Sequence, residues 1–103
     1  MAKYLLAYKG GGMAETDEAR EAAMAAWGAW FGRLGPAIVD AGNPFGPSAS
    51  VTSSGSNGAA SSGLTGYSVI EASSLDDATS KTGGCPILAD GGSVDVYETF
   101  DVM

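Results

Sequence analysis

The spacing of apolar residues predicts one long helix early in the chain. From residue 23 to residue 41 they recur at steps of three and four, which marks one apolar stripe over about five helical turns. Thr16 or Asp17 can cap the start, and Gly-Asn-Pro at 42–44 gives a stop signal. Gly-Pro at 35–36 predicts a kink before that end. The stripe consists of Ala23, Trp27, Trp30, Leu34, Ile38 and Ala41.

Four shorter segments are predicted to form β-strands. Residues 3–9 carry apolar side chains on both faces, and residues 66–72 alternate as a half-buried strand does. Residues 48–54 form a weaker, serine-rich candidate, and residues 93–102 alternate apolar and polar positions along their whole length. The Ser- and Gly-rich run at 55–63 predicts a flexible hairpin connection between the second and third strands.

A second, short helix is predicted at residues 75–82. Ser74 followed three positions later by Asp77 is typical of a helix start, and two glycines and Pro86 follow its end. The resulting order predicts an α+β fold of the ferredoxin-like βαββαβ type, in which two helices cover one face of a four-stranded antiparallel sheet. The other face would carry apolar side chains. A homodimer with the two sheets face to face is therefore expected.

The size and charge of the chain narrow the classes of function. At 103 residues it is expected to form a single domain, residues 1–103, with a marginal core, because much of its 45% hydrophobic content is alanine. Its net charge of −7 disfavours nucleic acid and anionic membranes as partners. The apolar run near residue 5 is too short for a signal peptide or a membrane span, so a cytoplasmic protein is expected.

Cys85 is the single cysteine of the chain, and there is no histidine. An internal disulfide is thereby excluded and the usual zinc ligand sets cannot be assembled, so no metal site and no cofactor are expected. Cys85 is either a small buried hydrophobe or a reactive thiol in a loop. The triple glycine at 10–12 lacks the lysine and hydroxyl residue of a phosphate-binding loop and the spacing of a dinucleotide-binding motif.

Four aromatic residues are the candidates for ligand binding. Tyr8, Trp27, Trp30 and Phe45 could line a cleft between the long helix and the sheet that takes a small apolar or aromatic metabolite. Tryptophans on an apolar helix stripe also serve as core packing, which is the commoner role. A cleft filled by these tryptophans would count against ligand binding there.

Asp40 and Glu98 are the candidate catalytic bases. Asp40 lies near the end of the predicted helix, against an unfavourable helix dipole, although a solvated surface carboxylate is the simpler interpretation. Glu98 shares a predicted strand face with Val94 and Val96. It lies either at the end of the sheet near water or in a buried site with a raised pKa, where it could act as a general base.

Three blocks of the chain resemble the YCII-related proteins, in particular the small DGPF-type members. They read KYLLAYKGG at 3–11, AAWGAWFGRLGPAIVDAGNPFGP at 25–47 and CPILADGGSVDVYETF at 85–100. The resemblance implies a dimeric α+β barrel of ferredoxin-like protomers with a cleft beside the first helix. It implies little about function, which is mostly unassigned in that family.

The chain lacks the histidine that some members of the family carry in the cleft. Some YCII-type members resemble enzymes with a His and Asp pair in the cleft, but this chain has Met24, Ala25 and Ala26 where the histidine would stand. The first hypothesis is therefore a dimeric small-molecule-binding module without histidine-based chemistry. The second is a cofactor-independent isomerase or lyase-like enzyme that uses a carboxylate base and a tyrosine donor. The third is a protein-interaction accessory domain.

Overall fold

Two helices and a four-stranded antiparallel sheet form the main body of the protein. The structure is a computed structural model that describes residues 1–11, 15–56 and 58–102. In chain order, the elements of these residues are β1 (Ala2–Lys9), α1 (Asp17–Leu34), β2 (Ile38–Asp40), β3 (Val51–Thr52), β4 (Gly55–Ser56), β5 (Leu64–Ala72), α2 (Leu75–Thr82) and β6 (Ser93–Glu98), with short 3₁₀ turns at Gly35–Ala37 and Pro86–Leu88.

The sheet has the strand order β2-β5-β1-β6, and each neighbouring pair is antiparallel. In the register of the central strand β1, Tyr4 lies opposite Ile70 of β5 on one side and opposite Glu98 of β6 on the other. The predicted α+β class is confirmed, and the arrangement is compatible with a ferredoxin-like fold. β3 and β4 pair only with each other, in a separate two-stranded ribbon.

Helix α1 begins where the sequence predicts and ends earlier. The Thr16 hydroxyl caps its start by accepting a hydrogen bond from the backbone N–H of Ala19 at 3.0 Å. The apolar stripe predicts a helix to Ala41, and this is wrong. The helix stops at Leu34, because Gly35 takes φ 53° and ψ −125°, far from helical values, and the following proline offers no N–H to continue the ladder.

The second strand of the sheet is also different from the prediction. Residues 48–54 are predicted to supply it, but Val51–Thr52 lies in the separate ribbon and Ile38–Asp40 takes the place in the sheet. Ile38 pairs with Ile70 of β5 and packs against the core, which the small, polar side chains of 48–54 could not do. The stop signal at 42–44 therefore follows a strand and not a helix.

The remaining elements agree with the predictions, apart from their ends. The Ser74 hydroxyl accepts a hydrogen bond from the N–H of Asp77 at 3.0 Å, and α2 spans the predicted residues 75–82. β5 begins two positions earlier than expected, at Leu64. The predicted strand at 93–102 ends at Glu98, after which the backbone N–H and the hydroxyl of Thr99 both donate to the carbonyl of Lys3 in β1.

The core lies on the face of the sheet that both helices cover. Alternate residues of β1 and β5 point to this covered face, where they meet the inner sides of α1 and α2. No helix among the described residues is long and apolar enough to cross a bilayer. The buried cluster consists of Tyr4, Leu6, Tyr8, Trp30, Leu34, Ile70, Ala72, Ala78, Cys85 and Ile87.

The opposite face of the sheet, here called the open face, is not covered by either helix. Val69 of β5 and Tyr97 of β6 both lie opposite Leu5 of the central strand on this face, and Ala7 lies opposite Tyr67. An ion pair between Lys9 and Asp95, with 3.1 Å between Nζ and Oδ2, stands at one end of it. The open face is therefore an apolar, partly aromatic surface with charged groups near its margin.

Candidate functional site

Three of the four predicted ligand-binding residues lie together: Tyr8 and Trp30 are buried in the core, and Trp27 is partly buried and packs against it. Trp30 is 2% exposed, and its indole N–H donates to the backbone carbonyl of Lys81 at 3.2 Å. Trp27 packs edge-on against Tyr8, with 5.2 Å between the ring centres, and edge-on against Trp30 at 5.7 Å. Of the two roles open to the tryptophans, the burial of Trp30 and the ring contacts of Trp27 with Tyr8 and Trp30 support packing against the core.

A buried chain of hydrogen bonds holds Tyr8 in place. The Tyr8 hydroxyl donates to Ser68 Oγ at 2.7 Å, and the Ser68 hydroxyl donates to the carbonyl of Ala41 at 2.6 Å. Burial raises the pKa of Tyr8 to about 12, so the hydroxyl keeps its proton at neutral pH. Ser68 was not among the sequence candidates, although a serine at an inward position of an alternating strand is a signal that could have identified it.

Phe45 lies apart from the other three, in the loop after β2 and beside β5. Its side chain is 47% exposed and its ring stacks on Tyr67, with the ring centres 5.9 Å apart and the planes 19° from parallel. The N–H of Phe45 donates to the carbonyl of Thr65 at 2.9 Å, which fixes the loop against β5. A surface depression of about 530 Å³ opens here, lined by residues 45–49, Ala60 and residues 62–65.

Tyr67 connects Asp40 to this depression, because its hydroxyl bonds to Asp40 and its ring stacks on Phe45. The carboxylate is exposed and accepts hydrogen bonds from the N–H of Gly42 at 2.8 Å and from the Tyr67 hydroxyl at 3.3 Å. Gly42 has φ +75°, and a Cβ at this position would lie 1.7 Å from the carbonyl oxygen of Tyr67. The tight turn after β2 thus needs glycine, and it holds the Asp40 carboxylate beside a tyrosine hydroxyl.

Glu98 lies at the other edge of the sheet. It is exposed at the end of β6, which is the sheet-end alternative of the two that the sequence left open. Its carboxylate accepts a hydrogen bond from the buried Tyr4 hydroxyl at 2.8 Å. Burial, followed by the neighbouring carboxylate of Glu98, raises the pKa of Tyr4. Because β2 and β6 are opposite edges, Asp40 and Glu98 do not form a carboxylate pair.

Cys85 is a buried residue of the core. It is 3% exposed, and burial raises the pKa of its thiol, which keeps the sulfur protonated at neutral pH. This is the environment of a small hydrophobe and not of a reactive thiol. In the described part of the chain, no group of three or more Cys, Asp or Glu side chains has an arrangement that could hold a metal ion.

Comparisons with protein-family models, with curated proteins and with solved structures find no significant match to this chain. The resemblance to YCII-related proteins therefore stays a prediction from the three sequence blocks. Function has to be argued from the surfaces described above: the open face, the depression at Phe45, and the two tyrosine–carboxylate pairs.

Proposed function

We propose that this protein is a homodimeric small-molecule-binding module, related to the YCII proteins, with its two sheets packed face to face as in a dimeric α+β barrel. The proposal includes a ferredoxin-like protomer and a cytoplasmic location. It includes no histidine-based chemistry, because the chain contains no histidine. The ligand would be a small apolar or aromatic metabolite.

The open face is the observation that carries the proposal. Leu5 and Val69 lie opposite each other near its centre and are only partly buried in the protomer. The accessible surface of the protomer is 6866 Å², against roughly 5,400 Å² for a compact monomer of this mass. A stable interface buries about 800 Å² on each partner, so a second copy on the open face would remove much of this excess.

The depression at Phe45 supports the ligand-binding part of the proposal. Its volume of about 530 Å³ falls within the range of about 300 to 1,000 Å³ that is usual for small-molecule sites. Apolar groups of Phe45, Pro47 and Leu64 line it together with the hydroxyl residues Ser62 and Thr65. Because Phe45 stacks on Tyr67 of the open face, a partner packed on that face would help to enclose the depression.

The dimer is tested by native mass spectrometry and sedimentation equilibrium of the full chain and two variants. Val69→Glu places a charge at the centre of the open face, and we expect it to weaken dimerisation by at least about tenfold. Met24→Glu is the matched control, since Met24 is 69% exposed on α1. A monomeric wild-type protein, or equal effects of the two substitutions, would overturn the face-to-face dimer.

The binding site is tested separately with the neutral apolar dye Nile red. Its fluorescence is expected to rise in the presence of the wild-type protein, and Phe45→Ala is expected to weaken binding by about tenfold, as the loss of a large apolar contact predicts. Met24→Ala serves as the control, because it removes an exposed apolar side chain elsewhere. Equal dye binding by the Phe45 variant and the wild type would remove the depression from the proposal.

A second candidate function is favoured by the two tyrosine–carboxylate pairs. Asp40 with Tyr67 and Glu98 with Tyr4 each join a carboxylate base to a phenolic donor, a combination that an isomerase or lyase-like enzyme acting on an activated carbonyl compound could use. Enol–keto exchange of phenylpyruvate is a suitable test reaction. Turnover that is lost in Asp40→Asn or in Glu98→Gln would favour the enzyme, and turnover unchanged in both would exclude these bases.

A further inference from the structure

The two edges of the four-stranded sheet differ in how they could meet another chain. β2 is three residues long, shifts register between Ile38 and Asp40, and is followed by Pro44, which forms an isolated bridge to Gly66. A short strand, an irregular register and a proline all discourage pairing with another chain. β6 is six residues long and pairs with β1 without a register shift, and it contains no proline.

The free side of β6 offers a regular set of backbone groups. The N–H of Thr99 donates to the carbonyl of Lys3 at 2.9 Å, so the odd-numbered residues of this strand exchange hydrogen bonds with β1. Val94, Val96 and Glu98 accordingly turn their N–H and C=O groups away from β1. Among the described strands no other strand pairs with this side.

The segment after β6 continues the alternation without a partner. Phe100 and Val102 are 82% and 78% exposed, which is unusual for two apolar side chains at strand spacing. If the register in which Tyr4 lies opposite Glu98 continues, Phe100 lies opposite Ala2, the first residue of β1. Beyond Ala2, none of the described strands lies where this apolar segment could pack against it.

A depression of about 500 Å³ lies along the same edge, between β6 and α2. Leu75 and Thr79 of α2 and residues 94–97 of β6 line it. Leu75 is 46% exposed there, and the side chains of Val94 and Val96 are only partly buried. A large apolar side chain from a neighbouring strand could lie in this depression.

We infer that a second copy of this chain pairs with the β6 edge, antiparallel, about a two-fold axis at Tyr97. This register sets Val94 opposite the partner's Phe100 and Val96 opposite the partner's Glu98, so every outward backbone group from residue 94 to residue 100 gains a partner. Phe100 then lies over the depression beside Leu75 of the partner subunit. The two copies of Tyr97 meet on the other face as a cross-strand aromatic pair.

Neighbouring registers are less favourable. A shift that sets Glu98 opposite the partner's Glu98 brings two carboxylates together, which is destabilising. A shift in the other direction sets Phe100 opposite Gly92 of the partner subunit, beyond the strand and away from the depression. This edge interface is separate from the face-to-face dimer proposed above, and either can exist without the other.

The register is tested by disulfide formation in a background where Cys85 is replaced by serine. Tyr97→Cys places two thiols at a non-hydrogen-bonded pair, where the Cα atoms of antiparallel strands are about 4.5 Å apart, within the range of a disulfide. We expect a covalent dimer on mild air oxidation. Asp95→Cys is the matched control: it lies two residues away on the same face, opposite Thr99 of the partner subunit, and is expected to give at least tenfold less covalent dimer.

Further variants distinguish the β6 edge interface from the face-to-face interface on the open face. Phe100→Asp is expected to lower the yield of the Tyr97→Cys disulfide by about tenfold, because the loss of one large apolar contact is worth at least that factor. Val51→Asp, at a residue 77% exposed in the ribbon, is expected to leave the disulfide yield unchanged. No disulfide from Tyr97→Cys in a folded protein, or equal yields from Asp95→Cys, would overturn the edge pairing. Loss of the disulfide on adding Val69→Glu would assign the contact to the open face instead.

Discussion

Ser68 is a buried polar side chain that connects Tyr8 of β1 to the segment that follows β2. It accepts the hydrogen bond of Tyr8 and donates to the carbonyl of Ala41, at a position that is 0% exposed. Ser68→Ala leaves the buried Tyr8 hydroxyl and the Ala41 carbonyl without their partner. We expect the substitution to lower the free energy of unfolding by roughly 1–3 kcal/mol. Urea denaturation measures the change.

The matched control for this prediction is Ser80→Ala in α2, at an exposed serine. It should change stability by less than about 0.5 kcal/mol. Tyr8→Phe is informative as well, because Ser68 can still donate to Ala41 when the phenol is absent. The hydrogen-bonded chain would be unimportant if Ser68→Ala cost no more than Ser80→Ala.

Asp77 makes the stability of the protein depend on acid pH. Hydrogen bonds from Lys81 at 2.8 Å and from the backbone N–H of Ser73 at 2.9 Å hold the pKa of its carboxyl below the usual 3.8, at about 2. A depressed pKa in the folded state means that the ionised carboxylate stabilises the fold above pH 3.8. This contribution is lost as the pH falls from 3.8 towards 2.

We therefore expect the difference in stability between wild type and Asp77→Asn to be largest near neutral pH and to shrink below pH 3.8. Thermal unfolding at pH 6, 4 and 2.5 measures it. Asp76→Asn, at the exposed neighbouring position, should show a smaller effect at pH 6. A difference for Asp77→Asn that stays constant with pH would show that the substitution acts through the helix start and not through the charge.

At the level of the elements, the glycines of α1 have opposite roles. Gly28 lies in mid-helix with open space where a Cβ would stand, whereas Gly35 ends the helix with a positive φ. We expect Gly28→Ala to stabilise the protein by about 0.5–1 kcal/mol through helix propensity. Gly35→Ala should destabilise it by about 1–3 kcal/mol, because alanine is strained at that backbone conformation.

Thermal unfolding of the two alanine variants, with Gly32→Ala as a second mid-helix substitution, measures these opposite signs. Gly32 also has open space at its Cβ position, so it should behave like Gly28. If Gly35→Ala were as stable as the wild type, the helix could continue past residue 35. The longer helix of the sequence prediction would then be an accessible conformation.

The same elements indicate why only part of the fold can be predicted from the sequence. α2 is predicted closely because its signals are local, such as the cap at Ser74. The end of α1 is predicted wrongly because Ile38 and Ala41 continue the helical spacing of apolar residues. Ile38 instead joins the sheet by pairing with Ile70, which is distant in the sequence. The roles of Trp27 and Trp30 depend on the same long-range packing, so a cleft and a filled core look alike in the sequence.

At the scale of the whole molecule, the protomer is thin for its length. Its smallest dimension is 19 Å, the thickness of one helix layer on one sheet, and its radius of gyration is 15.1 Å, against roughly 13 Å for a compact domain of this size. A single layer of helices leaves half of the sheet surface outside the core. Much of the stability is therefore expected to come from association, which adds a second layer to the open face or a second sheet to the edge.

Stability that comes from association depends on protein concentration. If folding and dimerisation are coupled, each tenfold rise in concentration stabilises the dimer by about 1.4 kcal/mol. We expect the urea midpoint to rise by several tenths of a molar for each tenfold step, whereas a monomer would show a constant midpoint. Val69→Glu should remove the dependence if the open face carries it, and Phe100→Asp should remove it if the β6 edge does. A midpoint independent of concentration in the wild type would show that folding is not coupled to dimerisation and that the thin protomer is stable alone.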